Sequence, residues 1–522
     1  MLFSVLLKIN IEEKKYLVYN EITIGKRGYI LVRQIIDNTQ IYINSFAKEE
    51  RKKIGQFFTS LKTAQYMASF ITFREYVKVA DVGAGTGILA AAVVDKLLRS
   101  KKVKRIDMTL YEDDENVYEV LMKNVQIMQE YCNRKNVLFN VQLIKDNFIL
   151  CNKSNWNSES YEGKYDVVIS NPPYMKIGKD TEESNAMSNI VYGQPNMYFL
   201  FMAMGLKLLK KNGDYIFIVP RSWTSGLYFK DFRKYFLENL SVNKMHLFVS
   251  RDRVFDKESV LQEIMIIFGK KSYKQKNRIC ITTSNDATDF KKVSKIFVNH
   301  KICISQDDDK FVLLPITPDD VEILKLFSEF SETLKSQGFT FKTGQVVEFR
   351  NKEDICSDRE NNCIPLIRPF HFNDGYIKFP VKTSKNQYIK HSVKSCLIIQ
   401  KEELLLLKRF TTKEETRRFQ PAILLENSMV FDKIAIENHV NYLEKNDGKI
   451  TSDELYGIWA ILKSEKWDRY YRILNGSTQV NASEVNAMPM PCLEKIKTIG
   501  NRVQNNALQD FELIIEEVLY GE

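Results

Sequence analysis

One short segment carries residue types whose order fits chemistry on a planar nitrogen: Asn171, Pro172, Pro173 and Tyr174. The two prolines lack N–H donors and fix φ, so the segment is stiff and its carbonyl groups stay available as acceptors. The Asn side chain adds a further carbonyl acceptor. Two acceptors aimed at one exocyclic amine can bind both of its hydrogens, and the Tyr ring offers a face on which a planar base can stack. A Pro-Pro loop that only terminates a strand is the alternative interpretation.

A glycine-rich turn earlier in the chain predicts a cofactor site. Asp81 lies in an apolar run, and Gly83, Gly85 and Gly87 follow at alternate positions. Glycine lets the backbone approach a ligand closely, and a helix N-terminus offers free N–H groups. Glu112 ends the next apolar run, where a carboxylate can accept hydrogen bonds from both hydroxyls of a ribose. The turn contains no Lys or Arg for a phosphate, so S-adenosylmethionine fits better than NAD or ATP, and a purely structural turn is the alternative.

The elements that must position these residues alternate between strand-like and helix-like runs. Predicted strands, separated by runs of helical composition, lie at 77–83, 108–112, 141–146, 165–174 and 215–220. Such β-α-β alternation indicates a mostly parallel sheet with helices on both faces. Ligands on that architecture gather at the carboxyl ends of the strands, where the two motifs lie. We therefore predict an α/β, Rossmann-like catalytic domain followed by a mixed α+β domain.

The chain is long enough for two or three domains. Residues 1–45 contain short β-like runs and are predicted to form an N-terminal extension, and the catalytic domain is predicted at 46–269. A basic segment, KKSYKQKNR at 270–278, indicates a linker over 270–279. Shorter strands, turns and a few helices are predicted for a second domain at 280–522.

Composition excludes several classes of protein. With 44% hydrophobic residues, only 12 Pro and 21 Gly, the chain is neither disordered nor collagen-like. The net charge of +10 fits a polyanionic partner, although a slightly basic protein without one accounts for it equally well. Eight Cys without a C-x-x-C pair and five His predict no metal site. No signal-peptide pattern or long apolar run is present, so we expect no membrane segment and a cytoplasmic location.

The order D-x-G-x-G-x-G, then E, then N-P-P-Y resembles the N6-adenine DNA methyltransferases of the TaqI-like gamma class. The resemblance extends over residues 48–268. It implies an enzyme that uses S-adenosylmethionine to methylate N6 of an adenine flipped out of the duplex. On this resemblance the N-P-P-Y residues are catalytic, and Asp81, the three glycines and Glu112 hold the cofactor.

Two further segments resemble parts of the same family. GQFFTS at 55–60 is similar to the family's segment that closes over the methionine part of the cofactor, which implies a contact from Thr59, although Ser60 replaces the family's proline. Phe255 falls where the family has an aromatic residue that stacks on the flipped base. Its surroundings are polar, and packing into a core is the alternative for this ring.

An acid–aromatic pair follows the third predicted strand. Asp146 and Phe148 resemble the family's D-F pair, in which the acid meets the adenine amino group of the cofactor and the ring packs on that adenine. In this chain Asn147 lies between them, which departs from the family's pattern. The resemblance therefore implies cofactor contacts from Asp146 and Phe148.

The second domain carries cations among aromatic residues. The predicted DNA contacts in this cluster are Lys408, Arg409, Lys413, Arg417 and Arg418. Arginine can bind guanine edges or grip phosphates, whereas a solvated face partly balanced by nearby glutamates is the alternative. Gln479 and Asn481 lie in a polar loop suited to adenine or phosphate contact, and a simple turn is equally compatible. Both segments resemble recognition domains of type II modification enzymes, in the group containing PstI and BsuBI.

The predicted function is site-specific adenine-N6 methylation of double-stranded DNA in a bacterial restriction-modification system. It would protect the DNA from a cognate endonuclease encoded alongside. A methyltransferase acting on RNA or protein glutamine is one alternative, because N-P-P-Y suits any planar amide or base. A DNA-binding specificity protein with a vestigial methyltransferase fold is another, and the intact Gly83, Gly85, Asn171 and Tyr174 argue against it.

Overall fold

The computed structural model describes residues 30–45, 59–249, 263–287, 290, 293–356, 362–394, 397–412, 414–505 and 510–521. Its largest sheet contains β1 Tyr76–Val82, β2 Arg105–Tyr111, β3 Leu138–Ile144, β4 Tyr165–Ser170, β5 Leu209–Pro220, β6 Leu240–Phe248, β7 Ile264–Lys271, β8 Arg278–Ser284 and β9 Ser294–Asn299. Within the described residues these nine strands lie in the order β3-β2-β1-β4-β5-β7-β6-β8-β9.

The sheet is mostly parallel, as the sequence predicts. β1 pairs in parallel with both β2 and β4, and β5 extends the parallel set beyond β4. β7 runs antiparallel between β5 and β6. The strand order reverses between β1 and β4, so the carboxyl ends of these two strands form the crevice in which this type of sheet binds ligands.

Helices cover both faces of the sheet. They are α1 Ile30–Ser45, α2 Leu61–Ala68, α3 Ile88–Leu98, α4 Glu115–Asn133, α5 Phe148–Cys151, α6 Lys153–Asn157, α7 Glu182–Ala186, α8 Met197–Leu208 and α9 Lys230–Asn239. α3 and α8 are apolar on nearly every side and almost fully buried. A helix with that composition belongs inside a large core. The two helices lie directly after β1 and before β5, and they fix the ends of the strands that carry the two motifs.

The prediction of β-like structure is wrong for residues 30–45, which form α1. Leu31, Val32 and Ile35 are fully buried. The Thr39 hydroxyl lies 2.7 Å from the Thr86 hydroxyl beside the glycine-rich turn. The spacing of these apolar residues follows the helical period, and α1 packs on the catalytic unit rather than extending away from it. Residues 1–29 lie outside the described residues.

The linker predicted at 270–279 is also wrong. β7 continues to Lys271 and β8 begins at Arg278, so the basic segment is the turn between two strands of one sheet. β8 pairs in parallel with β6, and β9 completes the sheet up to Asn299. The cations mark a solvent-exposed turn, and the sheet continues past the predicted boundary.

The C-terminal half is a mixed α+β structure, as predicted. One sheet contains β11 Phe339–Thr343, β14 Phe372–Asn373, β15 Tyr376–Ile377, β18 Leu404–Lys408, β19 Pro421–Leu424 and β21 Val440–Lys445. A second contains β12 Ile355–Cys356, β13 Cys363–Ile367, β16 Tyr388–Lys390, β17 Ile398–Gln400 and β20 Lys433–Ile436, and β10 Glu332–Thr333 pairs with β22 Pro489–Met490. The helices are α10 His300–Cys303, α11 Pro318–Phe327, α12 Ser452–Lys463, α13 Glu465–Leu474, α14 Ala482–Asn486, α15 Leu493–Asn505 and α16 Phe511–Tyr520.

Candidate active site

The glycine-rich turn bends sharply between β1 and α3. Gly83, Gly85 and Gly87 all have positive φ, at 84°, 54° and 83°. A side chain at Gly83 would be strained at that φ, and its Cβ would lie 3.6 Å from the Phe201 ring and 3.8 Å from the Asn171 carbonyl oxygen. The glycine spacing read in the sequence is therefore a backbone requirement of this turn, which places it against the segment that follows β4.

Asp81, near the end of β1, binds the first turn of α3. Its side chain is fully buried, and Oδ2 accepts a hydrogen bond from the Ala90 N–H in the first turn of α3 at 3.0 Å. Burial raises the pKa of Asp81 well above its usual range. Asp81 is absent from the cavity wall described below, so its visible role in this structure is to fix the position of α3.

Glu112 stands at the end of β2, as predicted, and both of its carboxylate oxygens are oriented. Oε2 accepts from the Gly85 N–H at 2.6 Å, and Oε1 accepts from the Asp114 N–H at 3.0 Å. Each ionised carboxylate oxygen can accept more than one hydrogen bond, so capacity remains for two hydroxyl donors. Burial raises the pKa of Glu112 to about 7. The carboxylate is thus fixed in place and titrates near neutral pH.

Asn171 follows β4 directly, and its amide is held at both ends. Nδ2 donates to the Thr59 hydroxyl at 3.1 Å, and Oδ1 accepts from the Tyr174 hydroxyl at 2.8 Å. The same Tyr174 hydroxyl lies 2.9 Å from the Ile218 carbonyl on β5. Among the described residues no donor reaches the Pro172 carbonyl. The segment therefore presents an oriented side-chain carbonyl and, next to it, a backbone carbonyl that no donor of the described residues reaches.

A cavity of about 430 Å³ lies between these elements, within the usual size range of small-molecule sites. The predicted residues that line it are Thr59, Gly83, Gly85, Glu112, Asn171, Pro172 and Pro173. Gly87 does not line the cavity; it is the N-cap residue of α3. Tyr174 is partly buried, and in this structure it contributes its hydroxyl to Asn171 and its ring to the core. The structure thus brings the glycine turn, the acid and the N-P-P-Y segment to one cavity.

The cavity suits S-adenosylmethionine. No Lys or Arg is present in its described wall, so a phosphate would find no counter-ion there. Acidic residues are present instead: Glu112, Asp113 and Asp114 lie along one side, a composition compatible with a positively charged sulfonium. A Cβ at Gly83 would make ordinary contacts with Phe201 and Asn171, so it is the positive φ that favours glycine at this point of the wall.

The acid–aromatic pair after β3 is placed differently from the expectation. Asp146 is exposed and Phe148 is buried against Tyr111 and Phe201, and neither belongs to the cavity wall. Asn147 lines the cavity instead, where its Oδ1 also caps α5 by accepting from the Ile149 N–H at 3.0 Å. The sequence pointed to the right strand end, but the additional residue shifts which side chain faces the cavity.

Several wall residues were not identified from the sequence. They include Ala84, Thr86, Ile88, Leu89, Asp113, Asp114, Asn116, Asn147, Met175, Met197 and Phe201. Met197 and Phe201 lie on α8, whose helical pattern carries no sign of a ligand because the helix is apolar on every side. Asp113 and Asp114 adjoin Glu112, so their position after a strand was the one available signal.

The cationic cluster of the C-terminal half is only partly exposed. Lys408 Nζ donates to Gln420 Oε1 at 2.8 Å, and Arg409 Nη1 donates to the Asn438 carbonyl at 3.0 Å. Arg417 is about one-third exposed, 3.8 Å from carboxylates of α13 and α16. Lys413 and Phe255 lie outside the described residues. Lys408, Arg409 and Arg417 are thus partly exposed, with neutral or distant partners.

The prediction that Arg418 contacts DNA is contradicted by its burial. The side chain has no exposed surface. Its Nε donates to the Thr411 hydroxyl at 3.1 Å, and its guanidinium lies 5.4 Å from the centre of the Tyr471 ring. Burial lowers the pKa of Arg418. Arg417 is partly exposed while its neighbour Arg418 is buried, a difference that composition alone does not reveal.

The polar loop 475–481 lies beside the catalytic unit. The backbone carbonyl of Gln479 accepts from the Tyr471 hydroxyl at 3.1 Å, which fixes the loop on α13. Asn481 lines a second cavity, of about 220 Å³, whose opposite wall includes Ser222 and Phe229 from the segment after β5. Asn481, one of the two predicted contacts in this loop, is therefore close to the segment that follows β5.

The described residues contain no helix that could cross a membrane. In the same part of the chain, no group of three or more His, Cys, Asp or Glu is arranged to hold a metal ion.

Comparison with known proteins gives a consistent result. Residues 88–255 match a family described as Eco57I restriction-modification methylase. The type II methyltransferase M.PstI of Providencia stuartii is 31% identical over 90% of this chain and 93% of its own. M.BsuBI of Bacillus subtilis is 29% identical over 94% of this chain and 99% of its own. The structure of the type IIL restriction-modification enzyme MmeI in complex with DNA is 11% identical, with a TM-score of 0.52, over 98% of this chain and 76% of that one.

Proposed function

We propose that this chain methylates adenine and that the acceptor atom is N6. The chain belongs to the family of type II restriction-modification DNA methyltransferases represented by M.PstI. The observation that carries this proposal is the double anchoring of the Asn171 amide, at 3.1 Å from Thr59 and 2.8 Å from Tyr174, in the wall of the cavity. An amide held in this way presents Oδ1 as an acceptor at a fixed position, beside the Pro172 carbonyl, which no donor among the described residues reaches.

The two acceptors match the two hydrogens of an exocyclic amine. When both hydrogens are bound, the nitrogen lone pair turns out of conjugation with the base and toward the cofactor cavity. The bound cofactor supplies an electrophilic methyl group. The protein's contribution is positioning: Thr59 and Tyr174 fix Asn171, and the prolines fix the backbone carbonyl. As the N–CH3 bond formed, the S–CH3 bond of the bound cofactor would break to leave a neutral thioether. The positively charged amine would then lose its proton to solvent, so no strong base is required before transfer.

Glu112 has a separate task in this proposal. Its two oxygens, oriented by the Gly85 and Asp114 N–H groups, receive the two ribose hydroxyls of S-adenosylmethionine. Thr59 links the two tasks, since it lines the cavity and accepts from Asn171. The Thr59 hydroxyl thus belongs to both the proposed cofactor site and the proposed target site.

For substrate recognition we propose double-stranded DNA carrying a short specific site, with the C-terminal half as the reader. Lys408, Arg409 and Arg417 would grip phosphates or guanine edges, and the loop with Gln479 and Asn481 would approach the target base. A target adenine must leave the stack to reach N-P-P-Y, because N6 pairs inside the duplex. A cognate endonuclease encoded alongside completes the proposed system.

The proposal is tested with purified protein, tritiated S-adenosylmethionine and genomic DNA from a host without adenine methylation. After digestion to nucleosides, tritium is expected in N6-methyladenine. Tritium in a modified cytosine, in RNA or in a protein glutamine would contradict the assignment. A DNA duplex with and without adenine, compared at equal length, provides the matched control.

A further inference from the structure

The arginine of a buried ion pair in the catalytic unit also binds the C-terminal half. Arg221 follows β5 immediately, and its Nη1 donates to Glu263 Oε2 at 3.0 Å. Its Nη2 donates to the backbone carbonyl of Ile473, at the end of α13, at 2.7 Å. The two charged side chains are only 8% and 10% exposed. One guanidinium therefore binds the catalytic sheet on one side and the C-terminal half on the other.

The loop with Gln479 and Asn481 rests directly on this pair. A Cβ at Gly476 would lie 2.2 Å from Glu263 Oε2 and 2.8 Å from Arg221 Cδ. No side chain fits there without displacing the pair. The position of the loop is thus set by contact with Arg221 and Glu263, in addition to its bonds to α13.

The same strand leads to the catalytic segment. Ile218, three residues before Arg221 on β5, offers its carbonyl to the Tyr174 hydroxyl at 2.9 Å. The same hydroxyl lies 2.8 Å from Asn171 Oδ1, and its single proton is shared between these two acceptors. Ile218, whose carbonyl contacts the Tyr174 hydroxyl, is therefore only three residues along the chain from Arg221, which contacts loop 475–481.

We propose that Arg221 is a positioning residue that fixes loop 475–481 at the distance from Asn171 required for methyl transfer. This inference rests on the proposed function. A buried ion pair contributes little net stability compared with apolar residues of the same volume, whereas its directional bonds define one geometry. Guanidinium suits this task because its planar fork can serve a carboxylate and a carbonyl at once. A misplacement of about 1 Å between reacting groups can lower a rate by about 100-fold.

The first test is Arg221→Lys, which keeps the charge beside Glu263 but offers a single ammonium in place of the fork. We expect DNA affinity within about threefold of wild type, because the proposed phosphate contacts are elsewhere. The single-turnover rate at saturating DNA and cofactor, per folded molecule, is expected to fall by roughly 10- to 100-fold. Arg368→Lys is the matched control: Arg368 is equally buried and binds a carboxylate, Glu348, and a carbonyl, that of Asn386, within the C-terminal half.

The second test is Gly476→Ala, which wedges the pair apart without any change of charge. It should slow single-turnover transfer as Arg221→Lys does, whereas Gly178→Ala, where the nearest atom to a new Cβ is an ordinary 3.6 Å away, should not. Wild-type rates per folded molecule in both Arg221→Lys and Gly476→Ala would overturn the inference. It would also be overturned if the transfer rate fell only in proportion to the folded fraction of the protein. If wild-type protein itself transfers no methyl group to DNA adenine, the proposed function fails, and that result is distinct from a failure of the positioning role.

Discussion

The hydroxyl of Tyr174 donates a hydrogen bond to Oδ1 of Asn171, at 2.8 Å. Burial raises the pKa of Tyr174 well above its usual range, so the hydroxyl keeps its proton and remains a donor throughout the physiological range. The other end of the amide is bound to Thr59. Two residues three positions apart in N-P-P-Y thus act together: the tyrosine hydroxyl orients the asparagine amide, while the tyrosine ring packs against the core.

Replacement of Tyr174 by Phe isolates the orienting role. The ring and its packing remain, but Asn171 loses the donor that fixes its oxygen. Loss of one such hydrogen bond costs about 0.5–1.5 kcal/mol, so we expect methyl transfer to slow by roughly 3- to 10-fold. Tyr174→Ala, which also removes the ring, should be slower still. The single-turnover rate decides it, and equal rates for wild type and Tyr174→Phe would leave the hydroxyl without a role in transfer.

Cofactor affinity is expected to depend on pH through Glu112. Its pKa in the free protein is raised to about 7 by burial, and only the ionised form offers both oxygens to hydroxyl donors. Affinity for S-adenosylmethionine should therefore be full above pH 7 and fall by up to about tenfold per unit as the pH drops below it. Calorimetry at pH 6, 7 and 8 measures this.

Glu112→Gln is the control for that pH dependence, since the amide does not titrate. It should bind the cofactor more weakly at pH 8, by about 1.5–3 kcal/mol, and show a flat pH profile. The same slope in the variant and in the wild type would assign the pH dependence to another group.

Motifs that sit at strand ends were predictable from the sequence, because the β-α-β pattern determines where strand ends meet. Gly83, Glu112 and Asn171 come from three strands and converge on one cavity as expected. Wall residues supplied by α8 were not predictable, since an apolar helix has the same composition whether it faces a core or a ligand. The sequence also did not predict the orientation of Phe148. Because Asn147 is inserted before it, the Phe148 side chain is buried in the core.

The boundaries were less predictable for a different reason. The cations at 270–278 have the composition of a linker, but β8 pairs with β6 far from them in sequence, and only tertiary pairing places it in the sheet. In the same way, α1 is recognised as part of the catalytic unit through the contact of Thr39 with Thr86.

Arg417 and Arg418 are adjacent but should respond to mutation in opposite ways. Arg417→Glu should weaken DNA binding and lower the slope of log affinity against log salt by about 1–2, because a phosphate contact releases counterions. Stability should hardly change, since the side chain is about one-third exposed and its carboxylate neighbours are 3.8 Å away. Fluorescence anisotropy over a salt series measures the slope. Arg469→Glu, the same charge change on α13, is the control, and an equal effect there would point to net charge rather than to this position.

Arg418→Ala should instead lower the melting temperature. It removes a buried guanidinium from Tyr471 and Thr411, and changes of this kind cost about 2–4 kcal/mol. Differential scanning calorimetry tests this. A variant with normal stability and weak DNA binding would restore the original prediction of a direct contact.

Asn171→Ala should separate chemistry from cofactor binding. Its side chain is proposed to touch the target amine, so loss of the acceptor is expected to cost about 3 kcal/mol in the transition state, roughly 100-fold in rate. Cofactor affinity should stay within about threefold, because Glu112 and the glycine turn are unchanged. Calorimetry and a tritium transfer assay measure both properties on the same protein preparation. A parallel loss of both would place Asn171 in the cofactor site.

The central claim is that this chain methylates adenine N6 at a specific DNA site through the N-P-P-Y segment. Long-read sequencing of DNA from a host without adenine methylation, expressing either wild type or Asn171→Ala, tests it most directly. We expect N6-methyladenine at one short recurring sequence with wild type and near-absence of the mark with the variant at equal protein level. An unmodified genome with folded wild-type protein, a mark on another base, or an undiminished mark with Asn171→Ala would contradict it.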